Sequence, residues 1–165
     1  MRKQCGFTLI QVMVTITLMG VISMMASPLS GAIMADARVT ETEGALNKAI
    51  GKAKALALRN AFGATGDSAA VGVCKTGGNE LLVLQSVAGV PANCNTMAGE
   101  VAWRVQVNAQ VTVKVNTPGG YADFSCICFS NKGLITGGSC SDNSCAMSTV
   151  FEVNSGNTTE VISLL

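Results

Sequence analysis

The chain has 165 residues, 48% of them hydrophobic and only 13% charged, where about a quarter is usual, which excludes a disordered acidic or basic tail protein. A net charge of +1 supplies no strong field to draw in nucleic acid or an anionic membrane, and the lack of histidine removes the usual general base and the commonest zinc ligand. Seven cysteines and eighteen glycines point to a loop-rich fold held by disulfides.

The N-terminus carries Arg2 and Lys3, and residues 7–26 then run without a charge. A helix of that length spans about 30 Å, the thickness of a bilayer core. The next basic residue is Arg38, so the positive-inside rule places the N-terminus in the cytoplasm and the remainder outside it. A cleaved secretory signal, cut near Met25-Ala26-Ser27, is the competing expectation. The run exceeds the roughly 7–15 residues of a signal core, which favours an anchor.

The junction before the run reads Lys3-Gln4-Cys5-Gly6-Phe7-Thr8-Leu9-Ile10-Gln11-Val12-Met13-Val14-Thr15-Ile16. It closely resembles the class III signal of type IV prepilins and type II secretion pseudopilins. The resemblance implies cleavage between Gly6 and Phe7 by a prepilin peptidase and methylation of the new N-terminal Phe7. It also implies an apolar segment that serves first as an inner-membrane anchor and then as filament core. Pro28 stands where many members carry a helix-loosening proline, whose physical effect is to remove a backbone donor and crowd the preceding turn. Gln11 departs from the pattern, which has glutamate there. The resemblance assigns that glutamate to pairing with a neighbouring subunit's terminal amine, because a buried unpaired charge is very costly. A neutral glutamine is either a tolerated isostere or the mark of a subunit at a special place such as the tip.

Beyond the apolar run, Leu46, Ala49, Ile50, Ala53, Leu56 and Ala57 follow the spacing of a buried helical stripe, with Lys48, Lys52 and Arg59 on another face. Phe62-Gly63 and Thr65-Gly66-Asp67 supply a stop, so the helix is predicted over residues 7–61. The stretch from Leu46 to Arg59 is similar to the helix of H-type pseudopilins and FimT/FimU minor pilins.

From Ser68 the period changes to two. Ala69–Cys74 and Leu81–Gln85 flank Thr76-Gly77-Gly78-Asn79 as a hairpin. Val105, Val107, Ala109, Val111, Val113 and Val115 alternate with polar residues and predict one long strand, dry on one face. Asn116 to Gly120 is a turn; Phe124–Phe129, Thr149–Val153 and Thr159–Leu164 are further strands. The helical stripe needs an apolar partner, and the sheet face provides it. The expected fold is α+β: a long N-terminal transmembrane and amphipathic helix packed on an antiparallel β-sheet globular domain. The boundaries are a cleaved leader at 1–6, a membrane or filament-core helix at 7–28, an amphipathic half at 29–61 and a β-rich domain at 62–165.

Cys5 leaves with the leader, and Cys74, Cys94, Cys126, Cys128, Cys140 and Cys145 face an oxidising compartment that favours disulfides. Cys126 and Cys128 share a strand face and do not readily bond each other. The favoured pairing is Cys74–Cys94, with Cys126 and Cys128 joined to Cys140 and Cys145 in an order left open. A four-thiolate zinc site from the last four is the rival, ranked below because extracytoplasmic thiols rarely stay reduced. Asp142-Asn143-Ser144 offers one carboxylate for calcium, and a solvated turn accounts for it better. Asp36, Glu41 and Glu43 lack a partner base, and the lone Trp103 and Tyr121 suit packing. No enzyme, cofactor or metal is expected.

Two functional classes follow. The first is a minor pilin or pseudopilin that initiates or caps a fibre. Its partners would be other pilins through the N-terminal helix, the prepilin peptidase, the inner-membrane assembly platform and a tip adhesin. The second is a DNA-binding pilin for DNA uptake. Phosphate contact needs clustered bases, and Lys48, Lys52 and Arg59 are the only candidates. Loss of Arg2 and Lys3 with the leader leaves nine basic residues against ten acidic ones, so DNA ranks below fibre assembly.

Overall fold

The computed structural model describes residues 8–88, 90–137, 140 and 145–164, with the side chains of 25–30 outside the description. One helix, α1 (Leu9–Arg59), carries the first third of the chain and is about 75 Å long at 1.5 Å per residue. Thr8 caps it in extended conformation, its hydroxyl accepting from the Gln11 amide, which satisfies one otherwise orphaned donor. The helix continues through position 28, so the proline does not end it.

Its end differs from the predicted one. Asn60 adopts the left-handed conformation, φ 43° and ψ 48°, and its N–H reaches the carbonyls of Leu56 and Ala57. The Asn60 side chain also donates to the Ala64 carbonyl at 2.9 Å and accepts the Ala64 amide at 2.8 Å. Asparagine tolerates this conformation and supplies both partners, so the helix stops before the Phe62-Gly63 signal.

The C-terminal half of α1 buries Val39, Thr42, Leu46, Ala49, Ile50, Ala53 and Ala57. The Thr42 hydroxyl donates to the Arg38 carbonyl at 2.8 Å, so no donor is stranded in this stripe. Ala49, Ala53 and Ala57 form a seam of small side chains that lets sheet side chains approach the helix closely.

Two antiparallel sheets meet this stripe, not one. The first contains β1 (Val71–Lys75), β2 (Glu80–Gln85), β3 (Glu100–Gln106) and β6 (Cys126–Phe129) in the order β3-β2-β1-β6. The second contains β4 (Thr112–Thr117), β5 (Gly120–Asp123), β7 (Val150–Ser155) and β8 (Thr158–Ser163) in the order β5-β4-β7-β8. Val71, Val73, Leu81, Val83, Ile127 and Phe129 from the first join Val113, Val115, Phe151, Val153 and Ile162 from the second in one core with the helix. Phe124 closes it edge-on to Phe151, ring centroids 5.4 Å apart.

The long strand predicted over 105–115 is two strands in different sheets. The Asn108 side-chain oxygen accepts the Gln110 amide at 2.9 Å, a local turn that competes with the ladder. Val107 and Val111 stay buried on either side of the turn, while Ala109 is exposed. The valines therefore keep the dry face across a crossover between sheets, whereas Ala109, expected on that face, is turned out to solvent at the turn. Strand β5, which pairs with β4 after the Pro118-Gly119 turn, was absent from the predicted elements.

Replacing Asn60 with alanine removes both side-chain bonds and leaves a non-glycine residue in the left-handed region. The expected cost is about 1–3 kcal/mol, and Asn60→Gly should recover part of it. Thermal unfolding of the detergent-solubilised protein, followed through its β-sheet signal, checks this; an alanine variant as stable as the parent would discount the cap.

Candidate assembly surface and cysteine cluster

The two halves of α1 differ in what covers them. From Leu9 to Met24 every described residue is exposed, including Leu9, Ile10, Met13, Ile16, Leu18, Met19 and Ile22. This stretch holds no charge. Its hydroxyls are satisfied inside the helix: Thr15 donates to the Val12 carbonyl at 2.8 Å, Thr17 to Val14 at 2.9 Å and Ser23 to Met19 at 2.8 Å. Such back-bonding removes much of the desolvation cost of taking these residues out of water. Beyond its first turn the result is an apolar rod whose backbone and hydroxyls need no outside partner. Each large side chain on it gains about 1.5–3 kcal/mol on full burial. Thr15, Thr17 and Ser23 were not singled out from sequence; their spacing to the carbonyls three and four residues back was the available signal.

The transmembrane expectation over 7–28 reaches beyond the described residues, among which no helix is long and apolar enough to cross a membrane. The described side chains of the uncharged run stop at Met24, short of the roughly 20 residues a spanning helix needs. Gly6 and Phe7, the expected processing residues, lie outside the described residues, as do the Pro28 side chain and Asp142-Asn143-Ser144.

Gln11 sits in the first turn, exposed, with its amide bonded to the Thr8 hydroxyl at 3.4 Å. Thr8-Leu9-Ile10-Gln11 has the order of a capping box, in which glutamine and glutamate serve equally at the third helical position. The helix start therefore tolerates a neutral residue here.

The basic residues Lys48, Lys52 and Arg59 are all exposed on α1. Lys48 lines a groove between α1 and β3 with Trp103 and Asn108, and the Lys52 ammonium lies 6.0 Å from the Trp103 ring centroid. Trp103 is half-buried and packs against the core, so it supports the helix and carries Lys52 over its face.

A second cluster lies on the face of the first sheet away from α1. Strand alternation sends Val71 and Val73 to the helix and Gly72 and Cys74 to the opposite side; on β6 it divides Ile127 and Phe129 from Cys126 and Cys128. The structure pairs Cys74 with Cys94, Cys126 with Cys145 and Cys128 with Cys140. The sulfurs of Cys94, Cys128 and Cys140 lie within 4.8 Å of one another, but each is bonded to another sulfur and none is a thiolate ligand. Gly72 makes the space: a Cβ there would meet the Cys140 sulfur at 2.8 Å and the Cys94 sulfur at 3.4 Å.

Residues 1–27 match the family described as Prokaryotic N-terminal methylation motif. This match supports a type IV pilin-like or pseudopilin protein, processed by a prepilin peptidase and assembled with other pilins. No curated protein and no solved structure matches the chain.

Gln11→Glu adds a negative charge near the positive end of the α1 dipole. Taken alone this should change helix stability by less than about 1 kcal/mol, and in the stabilising direction. Helical circular dichroism of both proteins in detergent should be nearly superimposable; a large loss of helix in the variant would contradict the capping geometry.

Proposed function

We propose that this protein is a minor subunit, a minor pilin or pseudopilin, of a type IV pilus-like fibre, which it starts or caps. One observation carries this reading: the methylation motif contains a charge-free, exposed stretch of helix, while the C-terminal half of the same helix is seated in its own domain. An apolar rod of this kind is stable in lipid or against other apolar rods, and not in water. The precursor is held in the inner membrane by residues 7–28, loses residues 1–6, and leaves the bilayer when its helix packs with those of its neighbours. The globular domain then faces outward and meets adjacent subunits or a tip adhesin. The protein works by assembling, not by catalysis. Use as a secretion pseudopilin employs the same physics, and DNA uptake ranks below both because three exposed bases on one helix neutralise few phosphates.

Mass analysis of the N-terminus from the membrane form should find a chain that begins at Phe7. A start near Ser27 would establish an ordinary secretory signal and remove the fibre reading.

Position in the fibre turns on Gln11. A subunit placed first has no earlier amine to meet and needs no charge there. Immunogold labelling of sheared fibres should then place the wild-type protein at one end, and Gln11→Glu should spread it along the shaft. Even labelling of the shaft by the wild type would sink the tip assignment.

A further inference from the structure

Behind β1 and β6 the three disulfides touch one another. The Cys94 and Cys140 sulfurs, which belong to different bonds, are 4.0 Å apart, and those of Cys128 and Cys145 are 3.6 Å apart. The third junction follows from strand register. Cys74 stands directly opposite Cys126 in the β1–β6 pair. The next pair along is hydrogen-bonded, the Lys75 amide to the Ser125 carbonyl at 2.7 Å. Cys74 and Cys126 therefore form a non-hydrogen-bonded pair, where opposed Cα atoms approach to about 4.5 Å and side chains are closest. That separation lies inside the range that disulfides span, about 4.4–6.8 Å. Going from 74 to 94, 140, 128, 145, 126 and back to 74, covalent bond and close approach alternate around a closed ring.

We propose that these six cysteines form one exchange network with two complete pairings. The first is the pairing present in the structure. The second joins Cys94 to Cys140, Cys128 to Cys145 and Cys74 to Cys126. An external thiol, acting catalytically, converts one into the other, and its point of attack is Cys145.

Cys145 is the half-buried member; each of the other five is at most 9% exposed. Attack of the external thiolate on the Cys145 sulfur makes a mixed disulfide and expels the Cys126 thiolate. The Ser125 hydroxyl, 3.6 Å from the Cys126 sulfur, donates to that thiolate. Cys126 then attacks Cys74 across the strand pair and expels Cys94. Cys94 attacks Cys140 and expels Cys128. Cys128 attacks Cys145 and returns the external thiolate. Three disulfides are present before and after, the same thiol is regenerated, and no electrons are gained or lost.

Two features hold the transfer together. The Cys94 amide donates to the Cys140 carbonyl at 2.8 Å, a backbone bond that holds the two cysteines side by side in the present pairing. The missing Cβ of Gly72 leaves the hollow in which the Cys74, Cys94 and Cys140 sulfurs converge, at 3.7, 3.4 and 2.8 Å from where that atom would be. The two pairings are not equivalent mechanically. The first ties the Cys94 loop to β1; the second ties β1 to β6, keeps Cys145 on β6 through Cys128, and ties the Cys94 loop only to Cys140.

The protein in detergent, with Cys5 replaced by serine so that it holds only the six network cysteines, tests this with glutathione far below one equivalent, under anaerobic conditions, followed by N-ethylmaleimide quenching and trypsin. Cleavage after lysine and arginine isolates peptides 60–75, 76–104, 115–132 and 133–165, which carry the six cysteines of the network. The first pairing gives two separate linked pairs, 60–75 with 76–104 and 115–132 with 133–165. The second gives a single assembly of all four. The four-peptide species should rise from none to a plateau while free protein thiol stays no higher than the glutathione added, and fragmentation should place its bonds at 74–126, 94–140 and 128–145. Two linked pairs alone at every glutathione level below full reduction would overturn the network. So would a broad mixture of other pairings, which is the signature of scrambling through the unfolded chain.

Discussion

The seat of the α1 stripe on two sheets is the contact on which the rest depends. On the side that faces α1, neither sheet has a core of its own. Val71, Val73, Leu81 and Val83 on one, and Val113, Val115, Phe151 and Val153 on the other, are buried together with Leu46, Ala49, Ile50 and Ala53 in one cluster. A sheet with one dry face must bury it somewhere, and the helix gives both sheets the same place to do so. Because that place occupies only the C-terminal half of α1, the N-terminal half is left bare. The exposed rod and the packed domain are two consequences of a single helix that is longer than the domain it supports.

The second sheet is solvated on its outer face, where Lys114 and Glu152 stand opposite each other in register at 3.7 Å. A partly exposed pair of this kind is worth about 1 kcal/mol or less. The first sheet is covered on both faces, by α1 and by the loops that carry Cys94, Cys140 and Cys145. Those loops are rich in small and polar residues and contribute little apolar area. Disulfides do there what side-chain burial does on the helix side, each closing 12 to 20 residues of sequence and worth about 2–4 kcal/mol.

Much of this was written in the sequence. The stripe from Leu46 to Ala57 is a helical period that no sheet could use, and the β1–β2 hairpin is announced by Gly77-Gly78-Asn79 between two apolar runs. The valine alternation through 105–115 identified the right faces and the wrong connectivity. Side-chain period is blind to a crossover when the residues flanking it keep their burial, and Asn108 gave the only sign of a turn. The helix end was misplaced because glycine outranks asparagine as a stop signal in general, whereas Asn60 wins here through two specific bonds to Ala64. Choice between Cys140 and Cys145 as partner of Cys126 lies beyond sequence, since it depends on how the loop lies against β6. The Ala146 amide bonds to the Cys126 carbonyl at 2.7 Å and the Thr136 amide to the Cys128 carbonyl at 2.9 Å, and these set the order.

Where the covalent bonds lie also says how the molecule divides load. All three disulfides fall between Cys74 and Cys145, and none reaches α1 or the second sheet. A pull on the bare half of the helix therefore reaches the domain through the packing of Val39 to Ala57 and through the chain that continues from Asn60 into β1, not through a disulfide. Packing of that kind resists shear in proportion to how closely the surfaces interlock, and the alanine seam at 49, 53 and 57 lets Leu46 and Ile50 sink between sheet side chains with 0% and 2% exposure. The disulfide-bearing face is free of that duty. Its bonds can rearrange without loosening the helix, because the residues that grip α1 point out of the opposite side of the same strands.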